Sequence, residues 1–143
     1  MNVAQILKTK GRAVTTARPD TPLKEIADQL ALKKIGAIVI VGETGRVAGI
    51  LSERDLVRVI AERGPTALMQ TASDVMTHNV ITCDEKSTLD ELMELMTSRR
   101  FRHVPVVENG ALVGLVSIGD VVKLHIADMA LEVTAMRSYL TTG

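Results

Sequence analysis

Aromatic side chains are almost missing. Phe101 and Tyr139 are the only two, 1% of 143 residues, and there is no Trp. Proteins that hold single-stranded nucleic acid stack bases on several rings, and that platform cannot be built here. A charge surplus is missing too. Lys plus Arg number 17 and Asp plus Glu number 17, so the basic excess behind broad nucleic-acid binding is lacking. Cysteine occurs once, as Cys83, which excludes an intrachain disulfide and a cysteine-built zinc cluster. His78, His103 and His125 are scattered without metal-ligand spacing. The N-terminus shows no apolar stretch of signal-peptide type, and the longest apolar run, residues 35–42, is about a third of a membrane span. A cytoplasmic chain that binds neither membrane nor nucleic acid is the expectation. Catalytic signatures are absent as well: no Gly-x-Ser-x-Gly elbow, no His-Glu-x-x-His, no P-loop lysine and no Gly-x-Gly-x-x-Gly.

What is present is a core and a repeat. The apolar fraction is 46% and the charged fraction 24%, an ordinary globular balance. Leu23, Ile26, Ala27 and Leu30 have the spacing of one helix face, and Leu89, Leu92, Met93 and Met96 repeat it 66 residues on. Thr21-Pro22 opens the first helix, with Pro predicted at the first helical position, and Ser87-Thr88 opens the second. Val14-Thr15-Thr16 matches Val80-Ile81-Thr82, and residues 38–41 match 104–107. A turn follows each, one residue shorter in the second copy. Residues 47–52 then match 112–117, and Asp55 matches Asp120. Ile6-Leu7 resembles Val75-Met76, although the first copy carries three extra residues in the loop after it.

Each copy therefore predicts short helix, strand, helix, strand, turn, strand and helix, with the last two strands in a hairpin and three strands per sheet. About 60 residues bury too little surface alone, so the two copies should pack sheet to sheet. The predicted division is repeat 1 over 1–64, a linker over 65–71 at Gly64-Pro65, and repeat 2 over 72–143 ending in one long helix. Residues 1–2 and 141–143 are expected to fray.

The strand-to-helix junction occurs twice, as Ser52-Glu53-Arg54-Asp55 and Ser117-Ile118-Gly119-Asp120. Two readings fit. Ser-x-x-Asp is close to a capping box that satisfies free backbone amides. The same carboxylate can accept both hydroxyls of a ribose, while amides at the helix start suit an anion. Asp repels phosphate, so cations must come from elsewhere. Arg99-Arg100-Phe101-Arg102-His103 supplies them in the second copy and Lys33-Lys34 in the first. The basic loop from Lys8 through Lys10 to Arg12 is either solvated surface or a third phosphate-facing segment. Cys83 has no activating neighbour in sequence and reads as an inert small residue.

The two junctions, Arg102-His103-Val104-Pro105-Val106-Val107 and Asp74-Val75-Met76-Thr77 resemble a tandem pair of cystathionine-beta-synthase (CBS) domains, the Bateman module, over residues 3–126. Small stand-alone bacterial pairs are the nearest likeness. The resemblance implies an α/β (α+β) fold of two βαββα repeats about a pseudo-twofold axis, commonly a homodimer. It implies clefts for adenosyl ligands such as AMP, ADP, ATP, NAD or S-adenosylmethionine, and no catalytic cofactor. Carried over by position, Asp120 holds ribose and Ser117, Ile118 and Gly119 line sugar or phosphate. Val80 and Thr82 border adenine, and His103, Val104 and Pro105 close that pocket. In the other cleft Asp55 and Ser52 meet the sugar beside Val14 and Thr16. That cleft has Gly36-Ala37 where the second has Arg102-His103, and Arg54 is the candidate to compensate. The expected function is a regulatory module that responds to nucleotide and acts on a protein target the sequence does not identify. The rivals are a ligand-free dimerisation or docking module and an enzyme built on Asp120, His103 and the arginines, which needs an activated nucleophile or metal that the sequence does not supply.

Overall fold

The computed structural model describes residues 1–142 and folds the two sequence copies into two α/β units, the first βαββα and the second without the opening strand. In the first, α1 (Val3–Lys10) leads to β1 (Thr16–Ala17), α2 (Leu23–Lys33), β2 (Ala37–Val41), β3 (Val47–Ser52) and α3 (Glu53–Arg63). A 3₁₀ turn (Pro65–Met69) crosses to α4 (Ala72–Val75), α5 (Leu89–Arg99), β4 (His103–Glu108), β5 (Ala111–Ser117) and α6 (Ile118–Thr142).

The helical spacing read from the sequence decides which faces are buried. Leu23, Ile26 and Leu30 of α2 lie in one core, and Leu89, Leu92 and Met96 of α5 in the other. Thr88 caps α5, its side chain accepting from the Glu91 amide at 3.2 Å while Glu91 reaches back to the Thr88 amide. Pro22 departs from expectation. It is the N-cap of α2 rather than its first helical residue, with ψ at 145° and the helix beginning at Leu23. Its extended ψ leaves its carbonyl aimed at the Glu25 and Ile26 amides, which donate to it at 3.1 and 3.2 Å.

Both hairpins form as expected, β2 with β3 and β4 with β5, each with a register shift near its turn. The second turn is tight because Asn109 and Gly110 both take positive φ, 52° and 81°. The third strand survives in one copy only. In the first sheet β1 runs parallel to β2. In the second, Val80-Ile81-Thr82 is not a strand, and pairing shrinks to a single parallel bridge between Cys83 and Val106. Pro105 is the reason. The Val39 amide donates to the Thr15 carbonyl at 3.3 Å, and Pro105, its counterpart, has no N–H to donate.

The units are interlocked. α1 of the first repeat contributes Val3, Ile6 and Leu7 to the core built on α5, β4 and β5. Ala72 and Met76, from the start of the second repeat, sit in the core built on α2, β2 and β3, together with Ala67 of the crossing turn. The second strand of each hairpin, β3 or β5, carries a glycine that makes room for the visitor. A Cβ on Gly49 would lie 2.4 Å from the Met76 sulfur and 2.9 Å from the Thr77 carbonyl, and one on Gly114 would lie 2.7 Å from a Leu7 methyl. Ile50 and Thr77 complete the seam with reciprocal backbone bonds of 3.2 and 3.0 Å.

The N-terminus is held rather than frayed. The Asn2 side chain caps α1, and the Leu89 amide donates to the Met1 carbonyl at 3.1 Å. At the other end α6 continues through residue 142, so 141–142, expected to fray, are helical, and Gly143 lies outside the described residues. Among the described residues no helix is long and apolar enough to cross a membrane.

Candidate functional site

Both junctions close as capping boxes. At the first, Asp55 Oδ2 accepts from the Ser52 amide at 2.9 Å and from its hydroxyl at 3.0 Å, and the Ser52 hydroxyl accepts from the Asp55 amide at 3.3 Å. At the second the matching distances for Ser117 and Asp120 are 2.8, 2.9 and 3.2 Å. The next amide is also engaged in each: Glu53 donates to the Gly36 carbonyl at 2.9 Å and Ile118 to the Arg102 carbonyl at 2.8 Å. The box consumes only one oxygen of each carboxylate. Asp55 Oδ1 faces Arg58 at 3.1 Å. Asp120 takes its third partner, Lys10 Nζ, on the same Oδ2 at 2.7 Å.

The pseudo-twofold arrangement brings the two junctions to one cleft of about 470 Å³. Ser52, Glu53, Arg54, Asp55 and Arg58 line it from the first repeat, and Arg100, Phe101, Arg102, His103, Ser117 and Ile118 from the second. Gly36, Ala37, Ile50 and Thr77 complete the walls. Four guanidinium groups meet two carboxylates there, so the cleft is cationic in a chain with no net charge. Arg100 closes α5 in the left-handed conformation (φ 58°), which turns the chain sharply ahead of Phe101 and Arg102. The inequality between the copies has a steric cause at this point: the His103 ring lies against Gly36, 3.3 Å from where a Cβ would be.

The CBS domain family matches residues 3–62 and 72–126. The chain belongs to that family. A CBS-domain protein from Agrobacterium tumefaciens is 50% identical and superposes with a TM-score of 0.84, over 87% of this chain and 99% of that one. The CBS domain pair of protein MJ0100, solved with 5-methylthioadenosine and S-adenosyl-L-methionine, is 28% identical with a TM-score of 0.79, over 90% and 98%. A CBS domain protein from Pyrobaculum aerophilum, complexed with AMP, is 28% identical with a TM-score of 0.75, over 84% and 89%.

The CBS fold gathers some of the residues singled out in the sequence and disperses others. Ser52, Arg54, Asp55, Arg102, His103, Ser117 and Ile118 share the central cleft. Asp120 does not line it; its carboxylate, 18% exposed, stands behind Ser117 against Lys10. Gly119 is exposed beside it. Val104 and Pro105 are buried in β4, and Val80 and Thr82, half-buried and exposed, do not reach the cleft walls. Val14 and Thr16, expected beside Asp55, instead line a separate groove with Arg18, Glu25 and Lys33 between β1 and α2. Arg54 is among the residues lining the central cleft. The basic loop is spoken for by the second repeat: Lys10 also donates to the Leu115 carbonyl at 2.8 Å, and Arg12 pairs with Glu85. Arg58 and Thr77 escaped the sequence reading as cleft residues. Arg58 could have been found from its i, i+3 spacing to Asp55; the folded seam alone positions Thr77.

Electrostatics separate the groups further. Burial lowers the His103 pKa from its ordinary 6.5, Lys10 and then Arg102 push the same way, and Asp120 and Glu53 oppose them. Burial raises Asp120, but the hydrogen bonds from Lys10 and Ser117 outweigh it and hold the carboxyl below its ordinary value. Cys83 is pushed up to about 12 by burial and by Asp84, so it stays a thiol at neutral pH. Among the described residues no cluster of His, Cys, Asp or Glu could hold a metal ion.

Proposed function

We propose that this CBS pair is a non-catalytic regulatory module that binds an adenosyl nucleotide of the AMP, ADP, ATP or NAD type in the cleft between its repeats. The observation that carries the reading is the convergence of Arg54, Arg58, Arg100 and Arg102 on the space between two helix starts. Guanidinium groups bind phosphate in bidentate fashion, and Arg58 can exchange Asp55 for phosphate. Asp55 then offers Oδ1 to ribose hydroxyls while Oδ2 keeps the box. The adenosyl ligands of the MJ0100 and Pyrobaculum proteins support the same ligand class here. Binding shifts the balance between arrangements of the repeats, or of two copies in a homodimer, and a protein target reads the shift.

A second reading keeps the fold as a ligand-free docking or dimerisation module. The observation favouring it is that both boxes are complete without a ligand. Calorimetric and thermal-shift titration with AMP, ADP, ATP and NAD separates the two. At about a hundredfold over its dissociation constant, the right nucleotide stabilises the fold by roughly 2.7 kcal/mol, a melting shift of about 6–11 °C. Asp55→Ala and Asp120→Ala should each cost about 1 kcal/mol of capping. On the binding reading Asp55→Ala also loses most of the nucleotide increment. A protein that releases no nucleotide on heating and melts at one temperature with all four belongs to the second reading.

A further inference from the structure

Helix α6 outruns the family to which the rest of the chain belongs. The CBS match ends at residue 126, yet α6 continues to Thr142. Along it Val122, Ile126, Met129, Val133, Met136 and Leu140 succeed one another at steps of four, three, four, three and four residues. They are 48%, 61%, 52%, 48%, 66% and 75% exposed. Positions 122, 129 and 136 and positions 126, 133 and 140 each recur every seven residues, which is the heptad of a left-handed coiled-coil seam.

We propose that α6 pairs with α6 of a second copy as a parallel, in-register, two-stranded coiled coil over residues 122–140. In heptad terms Ile126, Val133 and Leu140 are a positions and Val122, Met129 and Met136 are d positions. Two of the three a residues are β-branched, which favours two strands. The flanking charges choose the direction. In the parallel pair Glu132, at g, meets Arg137 of the other helix at e, five residues on, and no like charges face each other. Reversing one helix puts Lys123 beside Arg137 and Glu132 beside Glu132. Neither Glu132 nor Arg137 makes an ion pair within the chain among the described residues. The rest of the surface carries Lys123, Asp128, Glu132 and Arg137, a balanced set that lacks the basic excess of a helix lying on lipid. The pairing stands whether or not the cleft binds nucleotide.

Cysteine trapping in the full chain tests this. In a Cys83→Ser background Met136→Cys, at a d position, should give a disulfide-linked dimer under mild oxidation. Leu131→Cys, on the opposite side of α6, should give none. Met129→Cys, two turns further in, should link in the same way and guards against end fraying. Circular dichroism melting checks that each variant keeps the fold. No link at either d position overturns the proposal. So does a link that appears only when Met136→Cys is mixed with Ile126→Cys, because an antiparallel pair sets those two opposite and holds identical Met136 positions about 15 Å apart.

Discussion

His103 reports on the cleft with a single proton. It is half-buried against Gly36, within the fields of Lys10, Arg102, Asp120 and Glu53. Its native pKa is lowered, so below about 6.5 the unfolded chain takes the proton more readily than the folded one. The stability that His103 supplies is present above pH 6.5 and is lost as pH falls toward the native value. NMR titration should place the ring below 6.5 in the free protein and move it up when AMP brings phosphate charge beside it. A free-state value at or above 6.5 contradicts the environment described. How far single residues could be read from the sequence follows from the span of their contacts. Ser52 with Asp55 and Ser117 with Asp120 are three residues apart and occur twice, so their boxes were visible. Lys10 meets Asp120 across 110 residues, and nothing local announces that pair. No sequence pattern therefore signals that a lysine from the far end of the chain shares the Asp120 oxygen that closes the box.

Among elements, the period of a helix is written in its own residues, while the fate of a short strand is settled by its neighbour. α2 and α5 were legible because three apolar residues of each had to face inward. The missing third strand of the second sheet was not, because its loss rests on one absent amide at Pro105 in β4. The glycines of β3 and β5 carry a sharper consequence. At Gly49 an added methyl meets the Thr77 carbonyl at 2.9 Å as well as Met76, and backbone cannot swing aside. At Gly114 it meets only the ends of Leu7. Gly49→Ala should therefore cost about 1–3 kcal/mol, and more than Gly114→Ala, in urea unfolding. Equal losses, or none, would mean that α4 does not lie on β3 as described.

In the whole molecule the repeats are equal in sequence order but not in independence. Residues 1–64 lack Ala67, Ala72 and Met76, and residues 65–143 lack Val3, Ile6 and Leu7, each set buried in the core of the fragment that lacks it. Produced separately, neither fragment should show a cooperative melt by circular dichroism, and mixing the two should restore one. A cooperative transition in residues 1–64 alone would show that the exchanged side chains are dispensable. The duplication itself was plain in the sequence. The exchange was not, because Ile6-Leu7 and Val75-Met76 read the same whichever core they enter.

The interlocked helices also set an order of events during synthesis. Synthesis runs from the N- to the C-terminal side, so α1 is made before the strands that cover it. Its seat is finished only once β5 and Val121 have been made. The apolar face of α1 must wait for that cover, while the half built on α2 can close as soon as Met76 is free. A chaperone that shields Val3, Ile6 and Leu7 in the interval would matter more to this protein than to one whose halves close in turn.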